Sequence, residues 1–190
     1  MTHIHERDLE PAQLLVKNLA FLPKGRVLDL AMGNGRNAVY LAKKGFDVEG
    51  VDLSPEAVRS ALDQAREAGV NLKARVADLE IDYHIEKSAY DVIICFNYLQ
   101  RSLITQIKDG LRVGGIVVYE TFTVDQAQFG KPKNPDYLLK YNELLKPSLV
   151  NQRTRIICLN IMSFLHYFVI SGVFTIAREL SKRKNLSRAL

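Results

Sequence analysis

The stretch from Val27 to Ala42, VLDLAMGNGRNAVYLA, constrains the fold more than any other part of the chain. An apolar run of the kind found in buried strands enters a glycine-rich loop, and a segment with apolar residues at helical spacing follows. A strand that continues into a helix through such a loop begins a βαβ unit, whose ligand lies at the carboxyl end of the strand. The stretch therefore predicts a parallel α/β domain with a ligand site on the loop.

The remainder of the chain continues this alternation. Strand-like runs lie in KGRVLDLAM, FDVEGVD, LKARVAD, YDVIICFN and IVVYETF. Helices are predicted at 11–22, at 37–44, at 54–69 with Ser54 as its N-cap, and at 102–115 with a glycine exit. Strands that alternate with helices predict a doubly wound, Rossmann-like sheet that is mostly parallel.

Composition and charge limit the kinds of partner and the cellular compartment that we expect for this chain. The 190 residues are 47% hydrophobic and 25% charged, which fits one folded domain. The net charge of +5 is concentrated in residues 146–190, with 8 Lys and Arg against 1 acidic residue, so no nucleic-acid partner is expected for the body. Cys95 and Cys158 are too few for a disulfide framework, and residues 1–11 lack an apolar signal core. These features predict a cytoplasmic protein.

The C-terminal segment admits two interpretations. Residues 156–177 contain no Asp, Glu, Lys or Arg for 22 residues, which is long enough for a membrane-spanning helix. The same residues are rich in β-branched and aromatic types, with a turn signal at 171–172, and this pattern favours paired strands. We prefer strands, so residues 1–146 are predicted to form the ligand-binding domain and residues 147–190 to complete it. Membrane contact through this run is the less favoured alternative.

The loop itself fits two cofactors. Gly33, Gly35 and Ala38 match the pattern G-x-G-x-x-A, which holds the pyrophosphate of NAD at a helix N-terminus. Asp29 stands directly before the loop, where an anion would repel a pyrophosphate. The same carboxylate would attract the amino-acid end of S-adenosylmethionine (SAM), which carries an α-amino group and no phosphate.

Two further acids extend the pattern. Asp52 ends the second predicted strand, where a carboxylate suits the ribose hydroxyls of either cofactor, and Asp78 ends the third, within reach of an adenine amino group. Each acid alone is equally consistent with a helix cap or a solvated loop. Together, at the ligand-binding ends of three successive strands, they favour SAM. The histidines are not spaced as metal ligands, so no metal is predicted. An NAD-dependent oxidoreductase and a membrane-associated SAM-binding protein remain the alternatives.

Three stretches resemble a known family. They are VLDLAMGNGRNAVYLAKKGFDVEGVDLSPEAV, FNYLQRSL and YETFTVDQAQFGKPKNPDYLLKYNELL. They resemble the class I SAM-dependent methyltransferases and, within these, the tellurite-resistance (TehB-like) group, over about residues 10–146. The resemblance implies a seven-stranded sheet with an antiparallel closing strand, SAM as cofactor, and methyl transfer to a small molecule such as a tellurite-type chalcogen oxyanion.

The resemblance also implies functional residues. Those implied for cofactor binding are Asp29, Ala31, Gly33, Gly35, Asn37, Asp52, Leu53, Asp78, Leu79 and Phe96. Asn97 and Arg101, which follow the fourth strand, are implied at the methyl acceptor, and Arg101 or Lys131 would hold an oxyanion. Tyr119 and Glu120, near the end of the fifth strand, are weaker candidates for substrate contact. Ala31 departs from the class, which usually has a glycine there.

Overall fold

The computed structural model describes residues 10–140, 143–145 and 155–161. The strands are β1 (Arg26–Leu30), β2 (Asp47–Asp52), β3 (Lys73–Val76), β4 (Tyr90–Phe96), β5 (Leu111–Phe122) and β6 (Arg155–Ile161). They form one sheet in the order β3-β2-β1-β4-β5-β6, and every pair is parallel. The strand order reverses between β1 and β4, which opens a crevice at the carboxyl ends of these two strands. The predicted Rossmann-like fold is confirmed.

Among the described residues, four helices connect or precede the strands: α1 (Gln13–Asn18), α2 (Arg36–Lys43), α3 (Pro55–Glu67) and α4 (Arg101–Gly110). Short 3₁₀ turns lie at Leu19–Phe21, Val124–Gln128, Pro135–Tyr137 and Glu143–Leu145. The N-cap predicted for α3 is present, since the Ala57 N–H donates to Ser54 Oγ at 3.2 Å. This bond satisfies one of the N–H groups that the first helical turn leaves without a partner.

The two faces of the sheet are covered differently. On one face α1 and α2 pack against Val27, Val48, Val92 and Ile94. On the other face α4 and residues 77–89 pack against Leu28, Leu30 and Ile93. The crossover at 77–89 connects β3 to β4 without a helix and buries Tyr83, Ile85 and Ala89 instead. Both layers are apolar, and polar groups concentrate where the strands end.

The predicted end of the fourth helix is wrong. The sequence places the end of the fourth helix at the glycines near residue 115, whereas α4 ends at Gly110 and Leu111 begins β5. A side chain at Gly110 would meet a methyl group of Ile85 at 2.5 Å, so the close approach of the 77–89 crossover requires glycine there. Leu111 is buried and pairs with Tyr90, so β5 begins directly after the last residue of α4.

The uncharged C-terminal run begins as a strand. Residues 156–161 belong to β6, which runs parallel to β5 from Ile116↔Arg155 to Phe122↔Ile161. This pairing agrees with the strand interpretation for the first residues of the run. The turn expected at 171–172 and the antiparallel closing strand fall outside the described residues. Within the described part of the chain, no helix combines the length and apolar character needed to cross a membrane.

Candidate functional site

A cleft of about 650 Å³ opens at the carboxyl ends of β1 and β4. Its walls are Asp29, the loop residues 31–34, the first residues of α2 at 36–37, and residues 96–98 after β4. This is the crevice that the reversal of strand order predicts. The candidates that line it are Asp29, Ala31, Gly33, Asn37, Phe96 and Asn97. Gly35, Asp52, Leu53, Asp78, Leu79 and Arg101 are not among the lining residues.

The glycine loop is built from left-handed backbone. Ala31, Gly33 and Gly35 have φ of 53°, 59° and 81°. A side chain at Gly35 would lie 2.5 Å from the Ala61 Cβ of α3. Glycine is therefore required at position 35 for two reasons: its left-handed φ, and the close approach of Ala61. Glycine is the residue that adopts this conformation without steric cost, which explains why the class usually places one where this chain has Ala31.

Asp52 fastens the loop to the end of β2. Its Oδ2 accepts a hydrogen bond from the Gly33 N–H at 2.8 Å, and its Oδ1 accepts one from the Ser54 N–H at 2.9 Å. The main chain adds a 3.1 Å bond from the Met32 N–H to the Val51 carbonyl. Each carboxylate oxygen has a second lone pair, so Asp52 retains capacity to accept hydrogen bonds from a ligand.

Asp29 is buried with one oxygen unsatisfied. Its side chain is 2% exposed, and it accepts a hydrogen bond from the backbone N–H of Ala38 in the first turn of α2. Its Oδ2 has no hydrogen-bond partner among the described residues. Burial raises the pKa of Asp29 well above its usual value and the charge of Asp52 raises it further, while Arg36 and the Ala38 bond oppose the rise. Such a carboxylate is complementary to a cationic hydrogen-bond donor.

Helix α2 contributes two residues to the cleft wall, Asn37, which positions the loop, and Arg36, which is positively charged. Asn37 is 4% exposed, and its Oδ1 accepts a hydrogen bond from the Ala12 N–H at 2.8 Å, which ties the chain before α1 to the loop. Arg36 lines the cleft, and its positive charge lowers the pKa values of Asp29 and Glu120. Sequence reasoning missed Arg36 as a site residue, although it is the arginine of the GRN motif that pointed to the group.

The edge beside β2 and β3 is organised by local turns. Leu53 is 65% exposed directly after β2, an unusual position for a large apolar side chain. Asp78 lies two residues beyond the end of β3, and its Oδ1 accepts a hydrogen bond from the Glu80 N–H at 2.8 Å. Its main-chain carbonyl accepts from the N–H groups of residues 81–83, so Asp78 also shapes this turn, and Leu79 is buried beneath it.

The loop after β4 is fixed to β5. Asn97 has φ of 57°, and its N–H donates to the Glu120 carbonyl at 2.7 Å. The Tyr98 carbonyl accepts hydrogen bonds from the Tyr119 hydroxyl at 2.8 Å and from Cys95 Sγ at 3.7 Å. Burial raises the pKa of Cys95 to about 12, so this thiol stays protonated at neutral pH. Cys95 and Tyr119 therefore fix the main chain of the cleft wall at Tyr98.

Arg101 is bonded to the segment that follows β5. Its Nε and one terminal nitrogen donate to the two carboxylate oxygens of Glu143 at 2.6 and 3.1 Å. Two further bonds reach the carbonyls of Asp136 and Leu138 at 2.8 and 2.9 Å. The guanidinium therefore binds the segment after β5 and does not line the cleft. Lys131, the other cation expected at an oxyanion, is exposed in that segment and is likewise absent from the cleft wall.

The fold and the cleft together define a class. A parallel sheet with the order β3-β2-β1-β4-β5, a glycine loop after β1, and acids at the ends of β1 and β2 constitute the fold of the class I SAM-dependent methyltransferases. Residues 27–115 match the family model for a methyltransferase domain. Residues 27–115 are thus similar to a methyltransferase domain, and the prediction of SAM as the cofactor of that class is confirmed.

Two of the similar proteins are named as methyltransferases. A ubiquinone biosynthesis O-methyltransferase of Burkholderia pseudomallei is 30% identical over 120 residues, covering 60% of this chain and 52% of the relative. A SAM-dependent methyltransferase from Clostridium acetobutylicum is 24% identical with a TM-score of 0.52, covering 61% of this chain and 51% of that one. The chain spans about half the length of the first curated relatives that it matches.

The resemblance to the tellurite group is not confirmed. A TehB-like SAM-dependent methyltransferase from Corynebacterium glutamicum is 28% identical, with a TM-score of 0.46 and coverage of 54% of this chain and 58% of that one. That score supports no statement about the acceptor.

Proposed function

We propose that this chain transfers the methyl group of SAM to a small-molecule acceptor. The observation that carries the proposal is the unsatisfied Oδ2 of Asp29, a residue that lines the cleft and is 2% exposed. The α-ammonium group of SAM is a cationic donor that would satisfy it. The SAM sulfonium supplies an already activated methyl group, so the residues of this chain are left to bind, orient and exclude water.

The remaining cofactor roles follow the order of the strands. Asp52 would accept hydrogen bonds from the ribose hydroxyls through its free lone pairs, in addition to holding Gly33. Leu53, which is 65% exposed, would be covered by the adenine. Asp78 and Leu79 would border the same ring, and Phe96 and Asn97 would lie on the side of the methyl group. Gly33 and Gly35 would give the backbone close access to the methionine portion.

The same features argue against a nicotinamide cofactor. A dinucleotide loop offers N–H groups to a pyrophosphate, whereas the Gly33 N–H is already bonded to Asp52. The buried Asp29 has an oxygen ready to accept a donor, and a phosphate supplies no donor when ionised. The charge distribution of the cleft thus supports SAM over NAD.

A neutral small molecule is the acceptor we favour. The Burkholderia relative is named for O-methyl transfer in ubiquinone biosynthesis, which suggests an acceptor with a hydroxyl group. A tellurite-type oxyanion ranks second, because the two cations that the sequence implied for it are not in the cleft wall: Arg101 is bonded to Glu143, and Lys131 is exposed in the segment after β5. Arg36 is the cation that would face such an anion. We further infer that residues 147–190 complete the domain, which the pairing of β6 with β5 supports.

Calorimetric titration with SAM and with NAD tests the cofactor. We expect SAM to bind and NAD to be silent, and the opposite result would refute the proposal. Asp52→Ala should weaken SAM binding by about 1–3 kcal/mol, the cost of lost hydrogen bonds to a buried group. Asp47→Ala at the other end of β2 is the matched control, because Asp47 pairs with Lys73 in an exposed ion pair and should leave the affinity unchanged. A screen with methyl-labelled SAM against catechols, thiols, amines and tellurite would then define the acceptor.

A further inference from the structure

Glu120 lies on the same face of the sheet as the proposed cofactor site. Asp29 pairs with Ile94 in the register of β1 and β4, and Phe96 pairs with Glu120 in the register of β4 and β5. Paired residues of parallel strands share a face, and so do residues two apart on one strand. Glu120 therefore stands on the α2 face, one strand beyond Phe96, on the side of the cleft away from the glycine loop.

The backbone at Glu120 is held firmly. Its carbonyl accepts the 2.7 Å hydrogen bond from the N–H of Asn97, which lines the cleft. The preceding residue, Tyr119, is 3% exposed, and its hydroxyl bonds to the Tyr98 carbonyl. A carboxylate attached to such a fixed point keeps a constant distance from a ligand bound beside Asn97.

The Glu120 side chain is half-buried near the carboxyl end of β5. Burial raises the pKa of Glu120 above its ordinary value, and Arg36 of α2 opposes the rise as the charged neighbour among the described residues. A carboxylate with a raised pKa is a better proton acceptor than an ordinary surface glutamate.

Glu120 adjoins the cleft wall through Asn97 and is not itself one of the lining residues, and the groups that line the wall or lie beneath it are less suited to accept a proton. Asp29 is committed to the cofactor under the proposed function. Burial and the nearby Glu80 raise the pKa of Tyr98 far above neutrality, so its hydroxyl is protonated and cannot act as a base. Cys95 is buried beneath the loop, with its pKa raised to about 12. Asn37, Asn97 and Arg36 have no basic form at neutral pH.

We propose that Glu120 is the general base of the methyl transfer and that the acceptor is a protic group, a weakly acidic hydroxyl of the phenol or catechol type. The inference rests on the proposed function and adds a substrate class to it. The hydroxyl proton passes to the Glu120 carboxylate while an oxygen lone pair forms the new O–CH₃ bond. The C–S bond of the sulfonium breaks, and its electron pair stays on sulfur. Methyl ether, S-adenosylhomocysteine and protonated Glu120 result, and Glu120 then returns its proton to solvent.

Glu120→Gln tests the role with catechol as the neutral probe and methyl-labelled SAM as the donor. The variant should lose about 10²–10⁴-fold in kcat at neutral pH while the Kd for SAM stays unchanged. For the wild type, kcat/KM should fall at acid pH as Glu120 becomes protonated, and this acid limb should vanish in the residual activity of the variant. Glu120→Asp should retain part of the activity and the acid limb. Glu67→Gln on the exposed end of α3 is the control for removing one acidic charge.

The outcomes separate the two proposals. Absence of SAM binding to the wild type overturns the proposed function and, with it, the role of Glu120. SAM binding with catechol methylation that survives in Glu120→Gln, or with methylation of tellurite but of no protic probe, overturns the role of Glu120 alone. SAM binding without methylation of the catechol or of any other protic probe overturns it as well. A variant that folds, binds SAM normally and loses both catalysis and the acid limb supports it.

Discussion

Replacing Arg101 tests whether this residue is a clamp or a substrate-binding group. In the structure its guanidinium forms a two-point ion pair with Glu143 and two hydrogen bonds to the carbonyls of residues 136 and 138. These contacts join the start of α4, directly after the cleft wall, to the segment that follows β5. As a clamp, Arg101 would hold both loops on the acceptor side of the cleft in one arrangement.

The expected loss of unfolding free energy in Arg101→Ala depends on how exposed the ion pair between Arg101 and Glu143 is. Removing one partner of a fully buried ion pair costs about 3–5 kcal/mol. The Arg101 side chain is 37% exposed and that of Glu143 is 11% exposed, so solvent screening lowers the interaction between them to about 1–2 kcal/mol. The two carbonyl bonds add about 1 kcal/mol after screening. Arg101→Ala should therefore lower the free energy of unfolding by about 2–3 kcal/mol in total.

A double-mutant cycle with Arg101→Ala and Glu143→Gln isolates the pair. Urea unfolding of the four proteins should give a coupling energy of about 1–2 kcal/mol. The exposed pair Arg66 and Asp63 on α3 provides the matched control, with an expected coupling of about 0.3 kcal/mol. A coupling for Arg101 and Glu143 no larger than the control would refute the clamp.

Kinetics distinguish the clamp from direct substrate binding. If Arg101 positions the loops, Glu143→Gln should raise the KM for the acceptor in the same direction as Arg101→Ala, with the Kd for SAM unchanged. If Arg101 instead binds the acceptor itself, Glu143→Gln frees the guanidinium and should leave acceptor affinity intact or improved. The second pattern would restore the role that the sequence implied for Arg101.

Three further changes test the cleft. Burial raises the pKa of Asp29, so its contribution to stability is fully present below the unfolded value of about 4 and is lost as pH rises through the folded pKa. Asp29→Asn should therefore melt above the wild type at pH 8, with no difference at pH 3.5, and should bind SAM more weakly; a lower Tm at pH 8 would contradict this. Gly35→Ala should cost about 2–4 kcal/mol by urea unfolding, because left-handed backbone and the 2.5 Å approach to Ala61 add together, whereas Gly45→Ala, with a similar φ and nothing within 4 Å, should cost about 1 kcal/mol. Ala31→Gly should stabilise the protein by about 0.5–1 kcal/mol, and a destabilised variant would show that φ of 53° carries no strain here.

Local patterns predicted the sheet and the loop well. Strand-like runs, the Ser54 cap and the glycines are signals read within a few residues, and the structure has each of them in place. The end of α4 was missed because the signal there is a tertiary contact: Gly110 is required by Ile85, 25 positions earlier in the chain, while the more conspicuous glycines at 114–115 lie within β5.

The polar contacts of the site were harder to predict. The partner of Arg101 is Glu143, 42 residues away, and no spacing rule connects two such positions. Arg36 was overlooked because an arginine at the start of a helix usually faces solvent, and its effect appears once β1 and β5 bring Asp29 and Glu120 to the same face. Asp78 fitted a strand end in the sequence, yet it stands two residues beyond β3 and holds a turn of its own.

Three features of the cleft each lower the stability of the folded protein. Ala31 and Asn97 hold left-handed backbone on its opposite sides, and Asp29 keeps an unpaired oxygen in its wall. Each such feature costs on the order of 1 kcal/mol or more, and each has a fixed neighbour that maintains it: β2 for the loop, Glu120 for Asn97, and the first turn of α2 for Asp29. Unfavourable features that neighbouring elements hold in place, all at one position in the fold, are typical of a ligand-binding site. Because the cost at Asp29 is electrostatic and a cation relieves it, SAM binding should stabilise the wild type more than Asp29→Asn, even though the variant is the more stable protein without ligand at neutral pH.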